Sequence, residues 1–264
     1  MRQSADRRVA HRRGELRCGH DWRVPPFDRA AAEVEAYVLA TYAPIGIVIA
    51  GSIVRGEGGP YSDLDVCVVH DQPWRLREQR RFAGVPAELF VNPAAQVRRY
   101  FASEHREGKP NTAHMWTTGE PIEPVAPVIR ELVAEARDWL ARPLEVTPAQ
   151  LVQRRYFVVD VLDDARDVIG VDPAAASLLL ADAVRHIVGY AFWKVGKFQP
   201  RRKDAVRALA AIDPEAAALV RRWAACGPEA IPEALVAVEA LVRHVQGEDT
   251  FFEWTSERDV PPAD

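Results

Sequence analysis

The sequence predicts an α+β protein, with strands and helices alternating up to about residue 124 and helices alone from 125 onward. Three observations carry this. Short apolar runs rich in β-branched residues, bounded by turn residues, occur at 45–51, 64–70 and 82–92 and do not recur later. From 125 on, apolar residues repeat at three- and four-residue spacing in stretch after stretch. Pro148, Pro173, Pro214 and Pro232 each stand near the start of such a stretch, where a helix tolerates proline.

In order along the chain, residues 1–24 are polar, with Arg7, Arg8, Arg12 and Arg13 close together. They read as a flexible terminal segment, with a basic arm for nucleic acid as the alternative. "FDRAAAEVEAYVLATY" (27–42) has helical periodicity, with Asp28 as an N-cap and Pro44 beyond its end. "IGIVIAG" (45–51) and "LDVCVVH" (64–70) read as buried strands, and "FAGVPAELFVN" (82–92) as a third. "PAAQVRRYFASEH" (93–105) reads as a helix opened by proline, and 106–124 as loop with one short strand. The helical candidates beyond are 125–141, 148–169, 173–196, 203–211, 213–225 and 231–246, with Asp172 and Asp213 as N-caps. The domain division that follows is 1–24, 25–124 and 125–264.

Composition excludes several classes. The net charge of −4 over 264 residues exerts no global pull toward nucleic acid or membrane. The three cysteines, Cys18, Cys67 and Cys226, form neither a disulfide framework nor a CxxC metal pair. No apolar run approaches the roughly 18 residues of a membrane span. The amino-terminal arginines precede no apolar stretch of the secretory kind, so the expected location is the cytoplasm.

The chemistry concentrates in "GIVIAGSIVRGEGGPYSDLDVCVVH" (46–70). Alternation along a strand puts Asp63 and Asp65 on one face, with Leu64 and Val66 on the other. Two carboxylates so close repel one another unless a cation lies between them. Hard oxygen ligands on a rigid strand suit Mg²⁺. Upstream, a strand ending in Gly51-Ser52 and entering a short helix would offer backbone N–H groups and a hydroxyl to an anion. Arg55 adds positive charge nearby.

"GSIVRGEGGPYSDLDVCVV" resembles the nucleotidyltransferase superfamily with the polymerase-β-like palm. Its signature is Gly-Ser, a spacer of about ten residues, then Asp-x-Asp. Here residues 53–62 separate Ser52 from Asp63. The flanking words look like the small bacterial branch of aminoglycoside, lincosamide and minimal nucleotidyltransferases. The resemblance covers roughly 27–122. It implies a mixed sheet with flanking helices, followed here by an all-α bundle. It also implies a third carboxylate on a neighbouring strand, and Glu88 is the one acid within its apolar run. The implied site is Asp63, Asp65 and Glu88 as catalytic and Mg²⁺-binding residues, with Gly51, Ser52 and Arg55 on the nucleotide. The implied partners are a nucleoside triphosphate, ATP among them, and a small-molecule acceptor such as an antibiotic. A homodimer is a further implication.

Other features have two readings each. His114 could touch nucleotide or be a loop residue, while His70 reads as a strand-end residue. Asp160, Asp163, Asp164 and Asp167 could line a cleft for a cationic acceptor or form a solvated helix face. Lys194, Lys197, Arg201, Arg202 and Lys203 could approach a triphosphate or sit in a solvated loop. Competing functions are an antitoxin-like protein nucleotidyltransferase and a noncatalytic partner-binding module. A template-directed polymerase fits worst, because no compact nucleic-acid motif follows the palm.

Overall fold

The computed structural model describes residues 27–227, 229–256 and 258. The expected 1–24 segment, with its arginines and Cys18, lies outside the described residues. Chain contacts divide the molecule into an α/β unit, formed by residues up to Val97 with Met115–Ala134, and a helical unit of Arg98–His114 with the chain from Glu135 on.

The α/β unit is built on α1 (Phe27–Tyr42), β1 (Gly46–Ala50), β2 (Leu64–His70), β3 (Leu76–Phe82), β4 (Val85–Pro93) and the two-residue β5 (Glu120–Pro121). Their order in the sheet is β3-β4-β2-β1-β5. β2 and β4 pair in parallel, while the other pairs are antiparallel, so the sheet is mixed. Buried side chains on α1 recur every four residues, at Ala30, Val34 and Val38. They share one core with Ile47, Ile49, Leu64, Val66, Val68, Leu89 and Val91. Each such aliphatic side chain contributes about 1.5–3 kcal/mol when removed from water. Asp28 lies inside the first turn of α1, not at its cap. There its charge still meets the positive end of the helix dipole. The helix stops at Ala43, whose φ of 44° breaks the helical path ahead of Pro44.

Three elements depart from the sequence reading. β3, "LREQRRF", was not expected, and the third strand begins at Val85 instead of 82. Residues Ala83 and Gly84, both with positive φ, make the two-residue turn joining β3 to β4. The expected loop at 106–124 contains α3 (Asn111–Thr118), anchored by buried Ala113 and Trp116. β5 is the short strand expected there, and Gly119 lets it reach β1: a Cβ at this position would sit 2.6 Å from Val48 Cγ1.

The remaining helices are α2 (Ala94–Arg106), α4 (Pro127–Ala141), α5 (Pro148–Val168), α6 (Pro173–Lys194), α7 (Ala205–Ile212), α8 (Pro214–Ala224) and α9 (Ile231–Gln246). The division between units falls within α2, α3 and α4. As expected, Asp172 and Asp213 cap their helices, accepting hydrogen bonds from Ala175 N and Ala216 N at 3.0 and 2.9 Å. Thr147 and Gln150 close a reciprocal capping box on α5. Leu162, Leu180, Ile187, Leu209, Leu241 and Val242 anchor the core of the helical unit. α6 is long and apolar enough to cross a membrane by length and composition, but half of its apolar window is buried in the protein. The central helix of a helical core has the same properties.

Candidate active site

The site is assembled by register. On β2, Leu64, Val66 and Val68 face the α1 side of the sheet, which turns Asp65 to the opposite face. On β4, Ala87, Leu89 and Val91 do the same, which turns Glu88 outward. The parallel pairing sets Asp65 directly beside Glu88. Asp63, the residue just before β2, completes the group. One carboxylate oxygen from each of the three lies within 4.8 Å of the others.

Three carboxylates at that separation carry an electrostatic cost. The Asp65 carboxyl is pushed up to about 6, first by burial and then by the negative charges of Asp63 and Glu88; Arg55 and Arg77 pull it back in part. Oxygen donors alone, converging from a rigid parallel strand pair, fit a hard divalent cation. The residues present can hold such an ion.

The backbone makes room for this arrangement at Gly51. Its φ is +100°, and a Cβ there would lie 2.9 Å from Asp65 Oδ2 and 3.3 Å from Asp63 O. The expected short helix after Ser52 is absent. Residues 52–56 instead form consecutive turns, closed by Gly56 N donating to Ile53 O at 3.0 Å and Glu57 N to Ser52 O at 2.8 Å. Gly56, Gly58, Gly59 and Pro60 follow too closely for a helix to propagate. The buried Ser52 hydroxyl donates to Ser62 Oγ at 2.9 Å, and Ser62 Oγ accepts from Gly59 N at 2.9 Å. The glycine-rich loop is thereby tied down across its own base. Arg55 pairs with Glu57 at 3.2 Å and contributes positive potential at Asp65.

Sequence reasoning missed two neighbours of Glu88. Arg77 forms an ion pair with Glu88 and lies 5.0 Å over the Phe90 ring. Gln79, the cross-strand partner of Glu88, approaches the same oxygen at 3.4 Å. Both come from β3, so only recognition of that strand could have found them.

The remaining candidates fall elsewhere. His70 does end a strand, but it is buried, 4.1 Å centroid to centroid from Trp74. His114 is an exposed residue of α3, within the helical unit. On α5, Asp163 pairs with Arg166, which also binds Glu239 and Asp249. Asp160, Asp164 and Asp167 are exposed, as on a solvated face.

One comparison with known proteins bears on this geometry. A family model described as a nucleotidyltransferase domain matches residues 32–111, the stretch that contains all three carboxylates. No curated protein matches the chain. Among solved structures, a nucleotidyltransferase-like protein from Exiguobacterium sibiricum 255-15 shares 14% identity, covers 83% of this chain and 75% of its own, and has a TM-score of 0.48, a loose likeness only. Residues 32–111, which carry the three carboxylates, are therefore a nucleotidyltransferase domain.

Proposed function

We propose that the protein transfers a nucleoside monophosphate from a nucleoside triphosphate to a hydroxyl of a small-molecule acceptor, with Mg²⁺ held by Asp63, Asp65 and Glu88. This is an EC 2.7.7 type reaction, and the cytoplasm supplies its triphosphate. The observation that carries the reading is the Asp65–Glu88 pairing across β2 and β4 with Asp63 alongside.

When bound, the cation would supply positive charge to the triphosphate and its pyrophosphate leaving group. The chain's own groups do the rest. The Ser52 hydroxyl and the turn following Gly51 hold phosphate oxygens, and Gly51, lacking a Cβ, permits their close approach. Arg55 offsets phosphate charge. Glu88 either completes the metal site or takes the acceptor's hydroxyl proton, and in both roles the Arg77 guanidinium fixes its carboxylate in place. An antibiotic with a free hydroxyl belongs to the acceptor class.

The test is calorimetry with each of the four common nucleoside triphosphates, with and without Mg²⁺, on the wild type and on Asp63→Asn/Asp65→Asn. The expected result is Mg²⁺-dependent binding of at least one triphosphate that the double variant loses. Binding that is equal in the double variant would refute the carboxylate clamp.

A further inference from the structure

Within the basic run from Lys194 to Lys203, two residues already have partners in the helical unit. Lys194 Nζ donates to Val245 O at 2.7 Å, and Arg201 pairs with Asp204 at 2.6 Å. Arg202 instead joins a group that comes from other parts of the chain: Lys109, Arg154 and Arg185.

Trp193, only 4% exposed, organises this group. The Arg154 guanidinium carbon stands 3.3 Å from the ring centroid and covers one face. Gly108 abuts the ring edge, where a Cβ would collide with the indole nitrogen and lie 3.1 Å from Cε2. Gln199 N donates to Gly108 O at 2.8 Å, which fixes the 199–202 segment beside it. Lys109 therefore emerges at the indole edge, Arg154 over its face and Arg202 from the adjoining segment. The buried Trp193 Nε1–H has no hydrogen-bond partner among the described residues.

The charges here are unbalanced. Lys109 holds its proton less tightly than an ordinary lysine, first through partial desolvation and then through Arg154, Arg185 and Arg202, with Glu107 opposing. The half-buried Arg154 is shifted down by burial, with no acid acting on it. Arg185 has its own partner, Asp182, at 2.8 Å. His186 is held below its ordinary value by burial and Arg185, and adds no charge near neutral pH. Four cations thus face two acids, Asp182 and Glu107. A half-buried guanidinium without a counter-charge is costly, and an anion that accepts several N–H bonds removes that cost. An excess of two positive charges matches a dianion better than a carboxylate.

We propose that Lys109, Arg154 and Arg202, arranged around Trp193, form a binding site for a phosphoryl dianion, either free phosphate or the phosphate of a small molecule. The site belongs wholly to the helical unit and does not depend on the nucleotidyl-transfer reading. It is tested by calorimetry on the full chain in EDTA, without nucleotide, using inorganic phosphate, a sugar phosphate and acetate. Phosphate is expected to bind saturably. Arg154→Met is expected to weaken binding about tenfold or more, since a charge-assisted hydrogen bond is at stake. Lys109→Met, at an exposed position, should weaken it several-fold even if Arg154→Met does not fold. Asp65→Asn should leave it unchanged, which separates this site from the carboxylate cluster. Tighter binding of the sugar phosphate would assign the site to a phosphorylated metabolite, and equal binding to free phosphate. The proposal is overturned if the wild type binds no phosphate, if acetate binds as well, if Lys109→Met binds like wild type, or if Asp65→Asn loses binding.

Discussion

Asp65→Asn should stabilise the cation-free protein while removing its capacity for a divalent ion. The Asp65 carboxyl moves from 3.8 to about 6 on folding, chiefly through burial and then through Asp63 and Glu88. Below pH about 4 the group is protonated in both folded and unfolded chains and costs nothing. Between about 4 and 6 the unfolded chain releases its proton first, so stability falls as pH rises, and above about 6 the full penalty is present. At about 1.4 kcal/mol per tenfold change in proton affinity, the difference comes to roughly 3 kcal/mol. Asp65 is partly exposed, and solvent screening reduces this to about 1–2 kcal/mol. Asparagine keeps the side-chain shape and carries no charge. Urea unfolding in EDTA at pH 5 and pH 8 measures the effect. The variant should gain about 1–2 kcal/mol over wild type at pH 8, and the gain should shrink at pH 5. Added Mg²⁺ should raise the wild-type midpoint and leave the variant's unmoved. A variant no more stable than wild type at pH 8 would refute the claim that the three carboxylates strain the apo fold.

Other outcomes follow from the same coordinates. Divalent-cation affinity, read by titration calorimetry, should fall as pH drops below about 6, because the proton on Asp65 must leave before the ion can bind. Gly51→Ala combines a positive φ with a Cβ against the Asp65 carboxylate, and should cost about 1–3 kcal/mol of stability. It should also weaken cation binding at least about tenfold, whereas an alanine at Gly84, which also has positive φ but open space around it, should affect stability alone. Ala83 holds φ +48° in a two-residue hairpin turn, so Ala83→Asn should raise the thermal midpoint, by up to about 1 kcal/mol in stability.

What was legible in the sequence was what local pattern determines. β1 and β2 show as apolar runs because they are covered on both faces, and α4 to α9 because each has a periodic apolar stripe and a clear start. Glu88 was legible as a lone acid in an apolar run. β3 was not, since an edge strand lacks the burial that would make its residues apolar: Arg77, Gln79, Arg80 and Arg81 are all exposed. Losing that strand also hid Arg77 and Gln79 as neighbours of Glu88. α3 was hidden by its composition, with three threonines and a buried alanine–tryptophan pair too short to show a period. The basic run at 194–203 was left open between two readings, and it lies largely in the loop that joins α6 to α7.

The arginine-rich β3 has a further consequence for how copies of this molecule meet. Its outer edge is a row of backbone donors and acceptors to which, among the described residues, no strand is added. Such an edge invites a second sheet to continue the first. A second copy aligned edge to edge would bring another Arg77, Arg80 and Arg81 against these. Like charges at cross-strand spacing oppose that alignment. Arg77 and Arg80 are held by Glu88 and Glu78, so the arginines that discourage edge pairing also belong to the fold's own ion pairs.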